Sequence, residues 1–276
     1  MSHLTLLLSV LLQAAPRLHL TPTSARPGDV LFVEVSGTSE LPEGTLGKRP
    51  LAFYPHGLEH YEALAPLPLE LAAGPLVLDV KAMAGRKAMD LSATVDVTAG
   101  GFPAKELTVA GKFIEPPPEV RKQMAADREA FAKAFAQPLE PRVFRTGFAW
   151  PRPPVFNAHF GDQRLFNGHR ESQHYGSDLA GKVGDPVVAS NDGTVVMARP
   201  CYSSGNTVLL HHGAHAYTVY FHLSRIDVKL GERVKRGTPL GRVGKTGRVT
   251  GPHLHFGMKV DGLYVDPESM LRLTFP

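Results

Sequence analysis

The sequence is short of sulfur and of charge of one sign. It holds one cysteine, Cys201, among 276 residues, which excludes an intramolecular disulfide and any zinc site built from cysteines. With 30 Lys+Arg against 26 Asp+Glu, no basic block or aromatic-interleaved basic stripe occurs. A nucleic-acid partner is therefore not expected. No apolar run approaches the roughly 20 residues that a membrane-spanning helix needs. The run from Leu4 to Leu12 is shorter and ends in small residues, so residues 1–15 read as a signal-peptide segment. That predicts export to the periplasm or cell envelope, with no stable membrane insertion afterwards. The oligomeric state leaves no mark on the sequence.

Glycine and proline are plentiful, 27 and 24 residues, which favours short strands joined by turns over long helices. Histidine is the unusual component. There are 13, and nine of them lie between Val143 and Pro276. The same stretch carries 16 Lys+Arg against 10 Asp+Glu, a balance of +6, which leaves −2 for the rest of the chain.

A mostly β architecture follows from the spacing. Between residues 16 and 113, segments such as VLFVEV (Val30 to Val35), PLVLDV (Pro75 to Val80), LSATVDV (Leu91 to Val97) and ELTVAG (Glu106 to Gly111) alternate with turn signals, predicting a β-sandwich-like domain. Residues 114–142 contain one helical pattern, with Pro118 near its first turn and Val120, Met124, Phe131 and Phe135 at helical spacing. Bounded by prolines, it reads as a linker helix. From residue 143 to 276 strands return, punctuated by glycine, and predict a compact antiparallel β-barrel-like domain that folds on its own. Within it GDPVVASNDGTVV (Gly184 to Val196) and GERVKRGTPLGRV (Gly231 to Val243) echo one another.

Two short motifs carry chemistry. In HYGSD, alternate residues of an extended chain put His174, Gly176 and Asp178 on one side, with Gly176 leaving room between an imidazole and a carboxylate. In HLHF, His253 and His255 share a face while Leu254 and Phe256 turn to the core. Two histidines and an aspartate with one open position form the ligand set of a catalytic zinc site. Each motif alone is a weak match. Their context is the Tyr220–His222–Leu223 element (Tyr-x-His-Leu) and the lead-in FGDQRLFNGHRESQ before HYGSD.

Taken together, residues from about Phe156 to Pro267 closely resemble the lysostaphin/LytM-type zinc metallopeptidases, the cell-wall endopeptidases of metallopeptidase family twenty-three. The resemblance implies one Zn2+ per chain held by His174, Asp178 and His255, with His253 and His222 as the catalytic, non-ligand histidines. It implies the peptide stems of peptidoglycan as the substrate, with Tyr220, Arg164 and Asn167 shaping the substrate groove. Zinc lowers the pKa of bound water to about 7 and polarises a peptide carbonyl. Without a His-Glu-x-x-His glutamate, proton handling would fall to imidazoles. The competing expectation is a non-catalytic wall-binding or amidase-activating protein of the same fold; the complete ligand set argues against it. A biotinyl- or lipoyl-type carrier domain would leave the placed histidines unexplained.

The remaining candidates read as structural. His56-Gly57-Leu58-Glu59-His60 spells an inverted zinc-protease motif, but Pro55 and Gly57 oppose the helix it requires, so a loop is expected. His211, His212 and His215 flank Gly213 as a turn, and Cys201 packs without reacting.

Overall fold

The computed structural model describes residues 15–107, 118–166 and 170–276. Most of the expected export segment, and Asn167, lie outside the described residues. Among the described residues, no helix is long and apolar enough to cross a membrane.

The N-terminal strands form two sheets. One orders Arg17–Thr21, Val30–Ser36, His60–Pro66 and Tyr54–Pro55; the other orders Ser24–Ala25, Lys87–Val97, Gly74–Ala84, Glu43–Leu46 and Arg49–Pro50. The apolar alternation in Gly74–Ala84 turns Leu78, Val80 and Ala82 inward, against Leu31, Val33 and Val35 of the facing sheet. This is the expected sandwich.

The strand Val30–Ser36 is apolar on both faces, and both are used. Leu31, Val33 and Val35 serve the sandwich core, whereas Val30 and Phe32, with Tyr54 and Leu64, join a second core containing Phe144, Phe148, Val208, Phe256 and Met270. A near-continuous apolar run is what burial on two sides requires. The C-terminal region therefore shares its core with the N-terminal sheet. Polar contacts flank this seam. Arg26 pairs with Asp266, Ser269 Oγ accepts from the Val30 amide at 2.7 Å, and Arg49 Nη2 lies 2.9 Å from Asp261 Oδ2. At its centre Arg142 donates to both Glu62 oxygens, at 2.8 and 3.1 Å, and both side chains are buried.

The C-terminal region is built on an eight-stranded sheet ordered Phe156–Ala158, Ser177–Ala180, His253–Val260, Ala216–Leu223, Gly205–His211, Gly193–Cys201 and Arg233–Val234, with Leu263–Val265 also pairing with His253–Val260. Pro186–Val188, Pro239–Arg242 and Arg225–Ile226 form a small sheet, and Val187, Leu240 and Val243 close onto the core. The two echoing segments interlock: Gly193 and Thr194 pair with Val234 and Arg233, and Pro186 pairs with Arg242.

Helix α1 (Pro118–Phe135) falls within the expected linker helix and packs on the C-terminal sheet. Ala130, Phe131, Ala134 and Phe135 pack on Met197, Cys201, Leu209 and Val219 of the large sheet. Asp127 accepts from Arg199 Nη2 at 3.0 Å and from the Tyr202 amide at 2.7 Å. The helical spacing is as read, and its apolar stripe covers a sheet face. A short helix α2 (Pro267–Arg272) follows, capped by Asp266, whose Oδ1 accepts from the Glu268 amide.

Two outcomes follow. Arg142→Ala leaves the Glu62 carboxylate buried and unpaired, and should cost about 3–5 kcal/mol, with Arg142→Met/Glu62→Leu recovering most of it; urea denaturation of the full chain measures both. His212 is fully buried, with its ring nitrogens 2.6 Å from the Asp192 carbonyl oxygen and 2.8 Å from Thr218 Oγ1. Burial lowers its pKa from 6.5 to about 4. The unfolded chain then binds the proton more tightly, so stability falls as pH drops from 6.5 towards 4, by an amount on the order of 3 kcal/mol. Denaturation midpoints across that window should flatten in His212→Gln.

Candidate metal centre

The site is set by a strand register. Ser177–Ala180 pairs antiparallel with His253–Val260, and Asp178 stands directly opposite His255. On the other side of His255, Phe221 of Ala216–Leu223 is the cross-strand partner, and its ring stacks on the His255 imidazole at 5.1 Å between centroids and 9° between planes. Along His253–Val260, Leu254 and Phe256 are fully buried in the core while the two histidines face the other way, as their alternation predicts.

His174 comes from the bend before Ser177–Ala180, so HYGSD is only partly strand. Its Nε2 lies 3.1 Å from Asp178 Oδ1 and 3.1 Å from His255 Nδ1, and that Nδ1 is 2.9 Å from Asp178 Oδ1. Donors on a tetrahedral zinc ion, each about 2.0–2.1 Å from it, stand about 3.3 Å apart, so the triangle suits one such ion. The His174 Nδ1 donates to the His159 carbonyl at 2.8 Å, which leaves Nε2 bare to face the other donors. Burial alone would raise the Asp178 pKa. The adjacent His174 and His255 side chains outweigh it and hold the carboxyl well below the usual range.

His222 and His253 flank the triangle, with ring centroids 5.0 Å apart. Each donates Nδ1–H to a carbonyl, His222 to Thr246 at 2.9 Å and His253 to Gly251 at 3.0 Å. Both Nε2 atoms are thereby free of a proton, and that of His253 is 3.6 Å from Asp178 Oδ1. Burial, reinforced by His255 and His253, lowers the His222 pKa to about 3. His222 has φ 65°, left-handed backbone that is uncommon for a non-glycine residue. This kink lets the consecutive residues Phe221 and His222 both approach His255, where a regular strand would send them to opposite faces.

The two described groove candidates, Tyr220 and Arg164, differ in placement. Tyr220 is fully buried; its hydroxyl accepts from the Ser190 amide at 2.9 Å and from Thr218 Oγ1 at 3.0 Å. It is a core residue, because it falls on the face opposite Phe221. Arg164 sits beside the ligands, its Nη2 donating to Asp178 Oδ2 at 2.9 Å. Phe221 and Thr246 were not singled out by sequence: one belongs to a register and the other acts through a main-chain carbonyl.

The decoy motif also resolves. His60 opens the strand His60–Pro66 and Glu59 has φ 51°, so there is no helix. Glu34, His60 and Glu62 do converge, but Arg142 already holds both Glu62 oxygens. Cys201 is buried, and burial raises its thiol pKa.

A glycine is required at 176. A Cβ there would lie 2.7 Å from the His255 ring and 2.7 Å from the Phe256 carbonyl oxygen. Gly176→Ala should displace His255 and lower affinity for divalent metal at least tenfold, measured by competition against a chromogenic chelator.

Residues 172–267 match Peptidase family M23. The peptidoglycan DD-endopeptidase ShyA of Vibrio cholerae is 50% identical over 134 residues, covering 46% of this chain and 30% of ShyA. The DD-carboxypeptidase/endopeptidase Mpg of Neisseria meningitidis is 39% identical over 106 residues, covering 38% of this chain and 24% of Mpg. The chain thus spans less than a third of the length of these relatives. The crystal structure of a peptidase M23 protein from Pseudomonas aeruginosa superposes with a TM-score of 0.66 at 26% identity, covering 89% of this chain and 94% of the other. That likeness takes in the N-terminal sheets as well as the metal centre. The matched residues 172–267 hold all three converging donors.

Proposed function

We propose that the protein is a zinc-dependent endopeptidase that hydrolyses peptide cross-links of bacterial peptidoglycan, working outside the cytoplasm. The observation that carries this reading is the convergence of His174 Nε2, Asp178 Oδ1 and His255 Nδ1, all within 4.8 Å of one another, beside two imidazoles with bare Nε2 atoms. The name of ShyA, a peptidoglycan DD-endopeptidase, supports peptidoglycan as the substrate class. We assign residues 143–276 to the catalytic domain and residues 16–113 to a β-sandwich-like domain whose strand Val30–Ser36 shares the catalytic domain's core, with residues 114–142 linking them.

A single zinc ion, when bound, supplies an acidified water and polarises the scissile carbonyl. The chain's own residues do the rest. His174 is locked in orientation by the His159 carbonyl, and His255 by the stacked Phe221 ring. His253 Nε2 stands 3.6 Å from Asp178 Oδ1, beside the donor triangle. At His222, burial and the neighbouring imidazoles oppose protonation. His253 is therefore the proton acceptor, and His222 the hydrogen-bonding partner that orients the reacting groups.

Purified protein should contain close to one zinc per chain, and His174→Ala should lose most of it. His253→Ala and His222→Ala should keep the metal and lose about 10² to 10⁴ in hydrolysis rate, the usual worth of a general acid–base group. Mass spectrometry of cross-linked muropeptides, with and without chelator, reads the activity. Undiminished cleavage in chelator would overturn the assignment.

A further inference from the structure

Asp178 divides its two oxygens between two tasks. Oδ1 points into the donor triangle, 3.1 Å from His174 Nε2 and 2.9 Å from His255 Nδ1. Oδ2 points away and accepts from Arg164 Nη2 at 2.9 Å. The Asp178 side chain is 11% exposed and that of Arg164 24%, so this pair is largely shielded from solvent, where an ion pair is screened less than at the surface.

Arg164 is itself held by strand pairing on both sides. In Gln163–Phe166 it stands opposite Ser172 of Arg170–Gln173 and beside Lys105 of Ala104–Leu107, a parallel neighbour. The Gln163 amide donates to the Pro103 carbonyl at 2.9 Å, and a Cβ at Gly161 would collide with the Phe102 ring. The chain just after the N-terminal sandwich thereby sets where the guanidinium sits.

We infer that Arg164 is a positioning residue for the metal ligand Asp178, and does not serve chiefly to bind substrate. This rests on the zinc-enzyme reading above. A planar guanidinium is charged at every working pH and donates in a fixed direction. Engaging Oδ2, it fixes the rotation of the carboxylate so that Oδ1 alone meets the metal. It also prevents Oδ2 from swinging in to chelate and fill the position that the reaction needs open. Hydrogen-bonded partners of ligating groups are typically worth 10- to 100-fold in metal affinity or activity.

The test uses the full-length protein, with Arg164→Ala and Arg164→Lys compared with the parent. Zinc affinity is measured by chelator competition, and the visible spectrum is recorded after loading with cobalt(II). Arg164→Ala should bind zinc about 10- to 100-fold more weakly. Its cobalt spectrum should lose intensity, as a freed carboxylate binding through both oxygens raises the coordination number. Arg164→Lys, which keeps the charge without the fork, should recover part of the affinity, and it serves alone if the alanine variant fails to fold. On muropeptides the loss should fall on kcat. Parent-like zinc affinity and cobalt spectrum with a raised KM would overturn the inference and make Arg164 a substrate contact. A parent protein that binds no zinc would overturn the enzyme reading itself, and this inference with it; loss in the variants alone, from a parent that binds, supports both.

Discussion

The register between Ser177–Ala180 and His253–Val260 is the constraint on which the metal centre depends. It sets Asp178 opposite His255 on the face away from Leu254 and Phe256. Side chains alternate with a period of two, so a slip of one residue would turn the pair of histidines into the core and bring the core residues out. The register is held by the apolar side of the same strands: Leu179, Leu254, Phe256, Met258 and Val260 are all fully buried in one cluster. The donor triangle and the hydrophobic core are two faces of one strand pairing.

Around that pairing, successive layers restrain the ligands. Phe221 stacks on His255, and Phe131 of α1 meets Phe221 edge-on at 5.8 Å, so the helix reaches the ligand through one ring. His159, Thr246 and Gly251 fix three imidazoles by carbonyl acceptors. The left-handed backbone at His222 is the kind of local strain that persists where surrounding packing over-determines it, and here it coincides with the site.

The N-terminal sheets are integral to this arrangement. They contribute Val30, Phe32, Tyr54 and Leu64 to the C-terminal core, and the Arg142–Glu62 pair crosses the seam. The chain that follows them pairs with the strand bearing Arg164. Residues on the two sides of Val143 pack together: α1 lies on the large sheet, and Val30 and Phe32 share a core cluster with Phe144 and Phe148.

Much of the site was legible because its signals are local. Alternation puts His253 and His255 on one face of a strand, and His174, Gly176 and Asp178 lie within five residues, so their common direction depends only on backbone geometry. The sandwich strands and the span of α1 were legible for the same reason, as period-two and helical patterns. What the tertiary structure decided is who meets whom. A strand pattern says which residues share a face but not which strand lies beside it, so Tyr220 in the core, Phe221 on His255 and Arg164 on Asp178 follow from register and sheet order alone. The second apolar face of Val30–Ser36 was written in the sequence as a near-continuous run, yet only the packed molecule supplied the Phe275 ring that meets Phe32 there.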